Sequence, residues 1–169
     1  MTVQTALQQG SRLLEDAGIA VPRLTAEVLL CYALGQERAY LYSHPEAELA
    51  DLARIHYGRY LHERLQGKPT QYITGRQEFY GREFRVTPDV LIPRPETEHV
   101  IEAAVALRKD ARRIVDVGCG SGAIAVTLSL ELGCEVWGTD VSAAALGVAA
   151  ANAGRLNAPS ASLRCRIHV

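Results

Sequence analysis

The chain has 169 residues, of which 48% are hydrophobic and 22% charged, and its formal net charge is −1. That length supports one or two domains with a real core. The near-neutral balance gives no general attraction to nucleic acid or to an anionic membrane. The four cysteines, Cys31, Cys119, Cys134 and Cys165, form no C-x-x-C pair, which speaks against a disulfide framework or a metal site and for free thiols in a reducing compartment.

The first ten residues lack a basic stretch followed by an apolar run, and no apolar run reaches transmembrane length, so neither a signal peptide nor a membrane anchor is expected and a cytoplasmic location is. From Val3 onward Ala6, Leu7, Leu13, Leu14 and Ala17 recur at helical spacing, with Gly18 as the stop. Pro22 suits a first helical position, and Leu24, Val28, Leu29 and Tyr32 carry an apolar stripe to Gly35. A short helix is expected over 37–42 and a longer one over 46–65, ending at Gly67 and Pro69. Helices with short connections and no strand signal predict an all-α unit over 1–69. Its His44, His56 and His62 have no partner ligands at metal spacing and read as surface or packing residues.

Residues 70–92 change character and are expected to form a hairpin linker. Phe79, Tyr80, Phe84 and Val86 flank Gly81, which predicts a hairpin with its turn near 81–83. Val90, Leu91 and Ile92 suggest one more short strand. Pro93, Arg94, Pro95, Glu96, Thr97 and Glu98 then open a helix, with Arg108 and Lys109 at its far end to complement the helix dipole.

The apolar run Ile114, Val115 and Val117 reads as a buried strand, and three glycines follow at alternate positions before an apolar helix begins at Ala123. A strand, a tight glycine turn and a helix N-terminus make a ligand cradle: a Cβ would block the positive-φ turn and the approach of a ligand to the backbone. The next strand, over 135–139, ends at Asp140, where an acid typically accepts hydrogen bonds from a ribose. Gly118-x-Gly120-x-x-Ala123 satisfies the dinucleotide pattern, which keeps NAD open. Asp116 favours a cationic cofactor instead, because a carboxylate would repel a pyrophosphate. With Asp116 two residues before it, Gly118-x-Gly120-x-Gly122 resembles the first motif of class I methyltransferases, which use S-adenosylmethionine. Ser142 is a good N-cap for an Ala-rich helix, and residues 163–169 alternate apolar and basic, as either an edge strand or an unpaired tail.

The residues Gln71, Tyr72, Ile73, Thr74 and Gly75, the Phe79–Phe84 hairpin, the run Pro93-Arg94-Pro95-Glu96-Thr97-Glu98 and the stretch 116–122 occur in that order. Together they resemble a HemK-type peptide chain release factor glutamine methyltransferase over nearly the whole chain. Asn152 and Asn157 are similar to that family's pattern too. The resemblance implies an α/β fold: an N-terminal helical bundle for substrate recognition and a β-hairpin, followed over 93–169 by the first half of a Rossmann-like class I methyltransferase sheet. It implies methyl transfer from S-adenosyl-L-methionine to the side-chain amide of the Gln in the Gly-Gly-Gln motif of class 1 release factors, while composition and spacing alone lead us to expect no metal and no membrane partner and speak against nucleic acid. Asp116, Gly118, Cys119, Gly120, Ser121, Gly122 and Asp140 would bind the cofactor, Asp116 facing its methionine end and Asp140 its ribose. Arg94 and Glu96 would support the site or brace a helix start.

The family's Asn-Pro-Pro-Tyr motif, which holds the substrate amide, has no counterpart, for no Asn-Pro pair occurs. No catalytic residue is therefore assigned, and the resemblance implies a form truncated before that motif, with three of seven sheet strands. The competing readings are a non-enzymatic remnant that still binds a release factor, and an amino-group methyltransferase acting on nucleic acid.

Overall fold

In the computed structural model, which describes residues 1–107 and 110–158 together with the backbone of 161–163, the chain divides into two compact units, Met1–Thr74 and a second from Gly75 onward. The first is helical. It comprises α1 (Val3–Asp16), α2 (Pro22–Leu34), α3 (Arg38–Ser43), α4 (Asp51–Leu65) and α5 (Thr70–Thr74). Thr2 caps α1 by accepting the Thr5 amide, Pro22 opens α2, and Gly35 in the left-handed region closes it. Leu7, Leu14, Leu29, Leu30, Tyr57 and Leu61 are among the residues that meet in its core. Gly10 of α1 packs directly beneath the Tyr57 ring of α4, and a Cβ there would run into the Tyr57 hydroxyl.

The expected helix over 46–65 starts later, at Asp51. Ahead of it the chain is extended, Glu48 bridging to Thr2 and the Leu49 amide donating to the Met1 carbonyl at 3.0 Å. The expected linker over 70–92 is divided between the units. Residues 70–74 form α5, which buries Ile73 in the helical core, and the hairpin packs within the second unit.

One charge lies inside the helical unit. Glu27 on α2 is 2% exposed and receives Arg23 Nε at 2.8 Å, Arg38 Nη2 at 2.6 Å and Tyr42 Oη at 2.6 Å. Burial pushes its carboxyl up, but the hydrogen bonds from Tyr42, Arg23 and Arg38 outweigh that and leave it below the ordinary 4.5. The partners come from α2 and α3, so this one carboxylate ties the short α3 to the bundle.

The second unit begins with a hairpin, β1 (Arg76–Phe79) and β2 (Arg82–Arg85), paired antiparallel with Phe79 facing Arg82. Its turn is Tyr80-Gly81, one residue ahead of the expected place, with φ of 50° and 67°. Two successive positive φ angles match the twist of the flanking strands. The Tyr80 amide donates to Glu98 Oε1 at 2.9 Å, and Phe79 and Phe84 meet edge to face at 6.0 Å in the core beside Ile101. The strand expected over 90–92 does not form; that segment is irregular, and Pro95–Thr97 makes a single 3₁₀ turn before α6 (Glu98–Leu107). Arg108 and Lys109 lie outside the described residues.

A parallel sheet follows: β3 (Arg113–Val117), β4 (Glu135–Thr139) and β5 (Ala161–Leu163), in the order β3-β4-β5, with α7 (Ala123–Leu132) and α8 (Ala143–Arg155) as the crossovers. Val115 faces Trp137 and Asp116 faces Gly138. Helix α7 is apolar nearly all round and is accordingly buried, with Ala125 and Val126 fully enclosed. Read from its residues alone β3 is a buried strand, whereas the resemblance to a sheet cut short implies an exposed apolar edge; Val115 is 54% and Val117 69% exposed, in line with the second. Among the described strands β3 lies at the sheet edge, and only its Ile114 side meets the α7 core. Of the run expected over 163–169, β5 includes Leu163, and 164–169 fall outside the described residues. No described helix is long and apolar enough to cross a membrane.

Because Glu27 has a lowered folded-state pKa, its stabilisation is complete above the usual carboxylate range and is lost as pH falls through the lowered value. Glu27→Gln is expected to cost about 1–3 kcal/mol at neutral pH and to remove that acid-side slope. Helical circular dichroism in urea, at a series of pH values, would show both effects.

Candidate cofactor site

The backbone between β3 and α7 makes a loop with three left-handed residues, Gly118 (φ 79°), Gly120 (φ 52°) and Gly122 (φ 78°). Their reasons differ. A Cβ on Gly118 or Gly120 would meet nothing within 4 Å, so on those two the loop presents open backbone. A Cβ on Gly122 would lie 3.0 Å from Ala149 Cβ and 3.2 Å from Ala149 Cα, so here the missing side chain lets α8 pack against the loop.

Two carboxylates flank the loop. Asp140, just beyond β4, is the acceptor for two amides: Oδ2 takes the Gly120 N–H and Oδ1 the Ser142 N–H, each at 2.9 Å. It thus joins the middle of the glycine loop to the start of α8, where Ser142 Oγ accepts the Ala145 amide at 3.2 Å as the expected N-cap. Asp116 near the end of β3 accepts the Ala125 amide through Oδ2 at 3.2 Å, capping one of the free donors in the first turn of α7. Burial raises the Asp116 carboxyl above its ordinary 3.8; the Ala125 hydrogen bond opposes this and the nearby Asp140 charge adds to it.

The Gly118 and Cys119 amides both donate to the Thr139 carbonyl, at 2.8 and 2.9 Å, which docks the loop on the end of β4. Cys119 and Ser121 are buried. Burial, then Asp116 and Asp140, push the Cys119 thiol up to about 11, so at neutral pH it is a protonated packing group and no nucleophile. The Ser121 carbonyl accepts from Asn152 Nδ2 of α8 at 2.9 Å.

The seven residues singled out from the sequence therefore come together, in unlike positions. Gly118 and Gly120 form the open floor, Asp116 and Asp140 brace its two sides, and Cys119, Ser121 and Gly122 face inward. Asn152 belongs to the same network through a contact that spacing alone does not reveal. Its one local signal is an Asn deep in an Ala-rich helix, where its helix propensity is poor. Among the described residues, no group of three or more His, Cys, Asp or Glu is placed to hold a metal. His44 stacks on Tyr40 at 4.5 Å and His56 lies 6.0 Å from Tyr60.

A negatively flanked cradle with open glycine backbone and a helix N-terminus can take a ligand that is cationic at one end and carries hydroxyls at the other. Comparison with known families assigns residues 5–75 to the PrmC N-terminal domain and residues 114–167 to a methyltransferase domain. The release factor glutamine methyltransferase of Koribacter versatilis is 48% identical over 94% of this chain and 58% of its own length. That of Nitratidesulfovibrio vulgaris is 43% identical over 91% and 53%, and that of Bacillus subtilis 42% identical over 93% and 56%. Among solved structures, a Pyrococcus abyssi tRNA (uracil-54, C5)-methyltransferase in complex with S-adenosyl-L-homocysteine is 18% identical over 54% of this chain and 23% of that one, with a TM-score of 0.47. That likeness is too partial to bear on function. The chain spans about half the length of the curated relatives it matches. Both of its units align with those relatives, and over the length it spans the chain is similar to the release factor glutamine methyltransferases.

Proposed function

We propose that this chain binds S-adenosyl-L-methionine on the glycine loop and serves a protein methyltransferase that acts on the side-chain amide of the Gln in the Gly-Gly-Gln motif of class 1 release factors. The observation that carries the cofactor reading is the pairing of open backbone at Gly118 and Gly120 with two carboxylates, Asp116 and Asp140, already held in place by the fold. A sulfonium cofactor brings a positive charge that a pyrophosphate lacks, and the carboxylate near the end of β3 suits the first and opposes the second. The curated relatives support the choice of substrate by their names. The bound cofactor would supply an electrophilic methyl group.

The chain's own residues would do the following. The open floor at Gly118 and Gly120 would admit the cofactor, Asp116 would sit toward its cationic methionine end, and Asp140 would accept from its ribose while keeping its bond to the Gly120 amide. An amide nitrogen is a poor nucleophile because its lone pair is delocalised, and it must be oriented by polar acceptors to react. The chain contains no Asn-Pro pair to serve as that acceptor, and no catalytic residue is assigned to it. On this reading residues 113–140 supply the cofactor cradle, and the acceptors that orient the amide are not assigned among the residues of this chain.

Calorimetry with S-adenosylhomocysteine should show one site, and absence of binding would sink the proposal. Incubation with labelled S-adenosylmethionine and a class 1 release factor should leave the release factor unlabelled; efficient transfer would show that acceptor groups for the amide do lie in this chain. Asp140→Ala should weaken cofactor binding by about 1–3 kcal/mol, as expected for loss of a charge-assisted hydrogen bond; unchanged affinity would remove Asp140 from the site.

Asp116 gives an opposed pair of effects. A carboxylate with a raised folded-state pKa costs stability in its ionised form, and that cost disappears as pH falls below the raised value. Asp116→Asn keeps an acceptor for the Ala125 amide, so it should raise the thermal midpoint at neutral pH while weakening the cationic cofactor. Both results come from one thermal melt series with and without ligand.

A further inference from the structure

Asn152 is fully buried in the interior of α8. Its Oδ1 accepts the Arg85 amide at 2.7 Å, and its Nδ2 donates at 2.9 Å both to the Arg85 carbonyl and to the Ser121 carbonyl. An Asn amide offers two N–H donors and one carbonyl acceptor, and here all are engaged by main chain from two separate elements. One is the glycine loop and the other is the hairpin.

The pair of bonds to Arg85 repeats the pattern of a strand partner. Across β1 and β2, Arg85 stands opposite Arg76, and the next amide, Val86, donates to the Gly75 carbonyl at 3.0 Å. Hydrogen-bonded and non-bonded pairs alternate in an antiparallel ladder, so the Arg85 N–H and C=O point out of the far edge of β2. Asn152 meets both of them there. On the other side its second N–H fixes the carbonyl between Gly120 and Gly122, one helical turn from Ala149, which fills the space above Gly122. The bonds to β2 and to the glycine loop therefore pass through a single rigid amide.

We propose that Asn152 is a positioning residue that couples the two: a ligand seated on the glycine loop restrains the Ser121 carbonyl, and through Asn152 also restrains the edge of β2 and the chain that leaves it. The coupling rests on the reading of the loop as a cofactor site. It makes the hairpin responsive to cofactor although the hairpin contributes none of the residues assigned to the cofactor.

The test is hydrogen–deuterium exchange on the full chain, with and without saturating S-adenosylhomocysteine, in wild type and Asn152→Asp. The variant keeps size and the acceptor for the Arg85 amide but loses both donors and sets a charge against two carbonyl oxygens. In wild type, ligand should slow exchange by about threefold or more in peptides covering 118–125 and also in those covering 82–86. In N152D, ligand affinity should fall by about tenfold, and at saturation the loop should still respond while 82–86 no longer does. A merely structural role would raise exchange with and without ligand alike and leave the ratio between them unchanged. Wild-type protection of the loop with none in 82–86 overturns the coupling and leaves the cofactor reading intact. Protection nowhere in wild type overturns both. The wild-type arm can overturn the coupling even if the variant fails to fold.

Discussion

A loop that carries three left-handed glycines in five residues has little preference of its own for one shape, so its geometry must be imposed by neighbours. Here four groups impose it. The Thr139 carbonyl takes the first two amides, the Asp140 carboxylate takes the third, Ala149 closes against Gly122, and the Asn152 amide holds the Ser121 carbonyl. All four stand on β4, just after it, or on α8. The order strand, turn, helix, strand, helix is thus a way of bringing a distant helix back over a flexible loop, which gives a backbone cradle without bulky side chains at its floor.

The two acids at the cradle are held by different means and at different energetic cost. Asp140 gains two amide partners, and one of them starts the next helix, so its position follows from the fold. Asp116 has one amide bond and a raised pKa from burial and its acidic neighbour. Only the Ala125 amide opposes that rise, so ionising Asp116 costs more in the fold than it would in an unfolded chain. Glu27 in the helical unit shows the contrast. Its three donors more than offset burial, and its carboxyl is lowered rather than raised. It is a structural tie.

The hairpin is bound into the second unit from several sides. Glu98 takes the Tyr80 amide, Arg82 reaches Glu131 at 2.6 Å, Phe79 and Phe84 enter the core, and Asn152 closes the outer edge of β2. None of these partners is close in sequence. That is why a glycine-centred, aromatic-flanked stretch reads as a linker when the chain is scanned in order, and why residues 70–74 were not separated from it as a helix.

Local pattern determined much by itself: Pro22 and Gly35 bound α2, Ser142 caps α8, Gly133 ends α7, and the glycine loop lies between β3 and α7 with Asp140 following β4. These features depend on the conformational limits of single residues and on short-range hydrogen bonds, so they are legible in a few neighbouring letters. The start of α4 and the irregular path over 90–92 were decided by tertiary structure, because the pairing of Glu48 to Thr2 and the burial of Val90 and Ile92 are long-range facts. The same holds for the different duties of the three glycines and for Asn152. Sequence spacing identifies a loop that can take a ligand, but which atoms hold it in shape depends on groups that only the folded chain brings within hydrogen-bond distance.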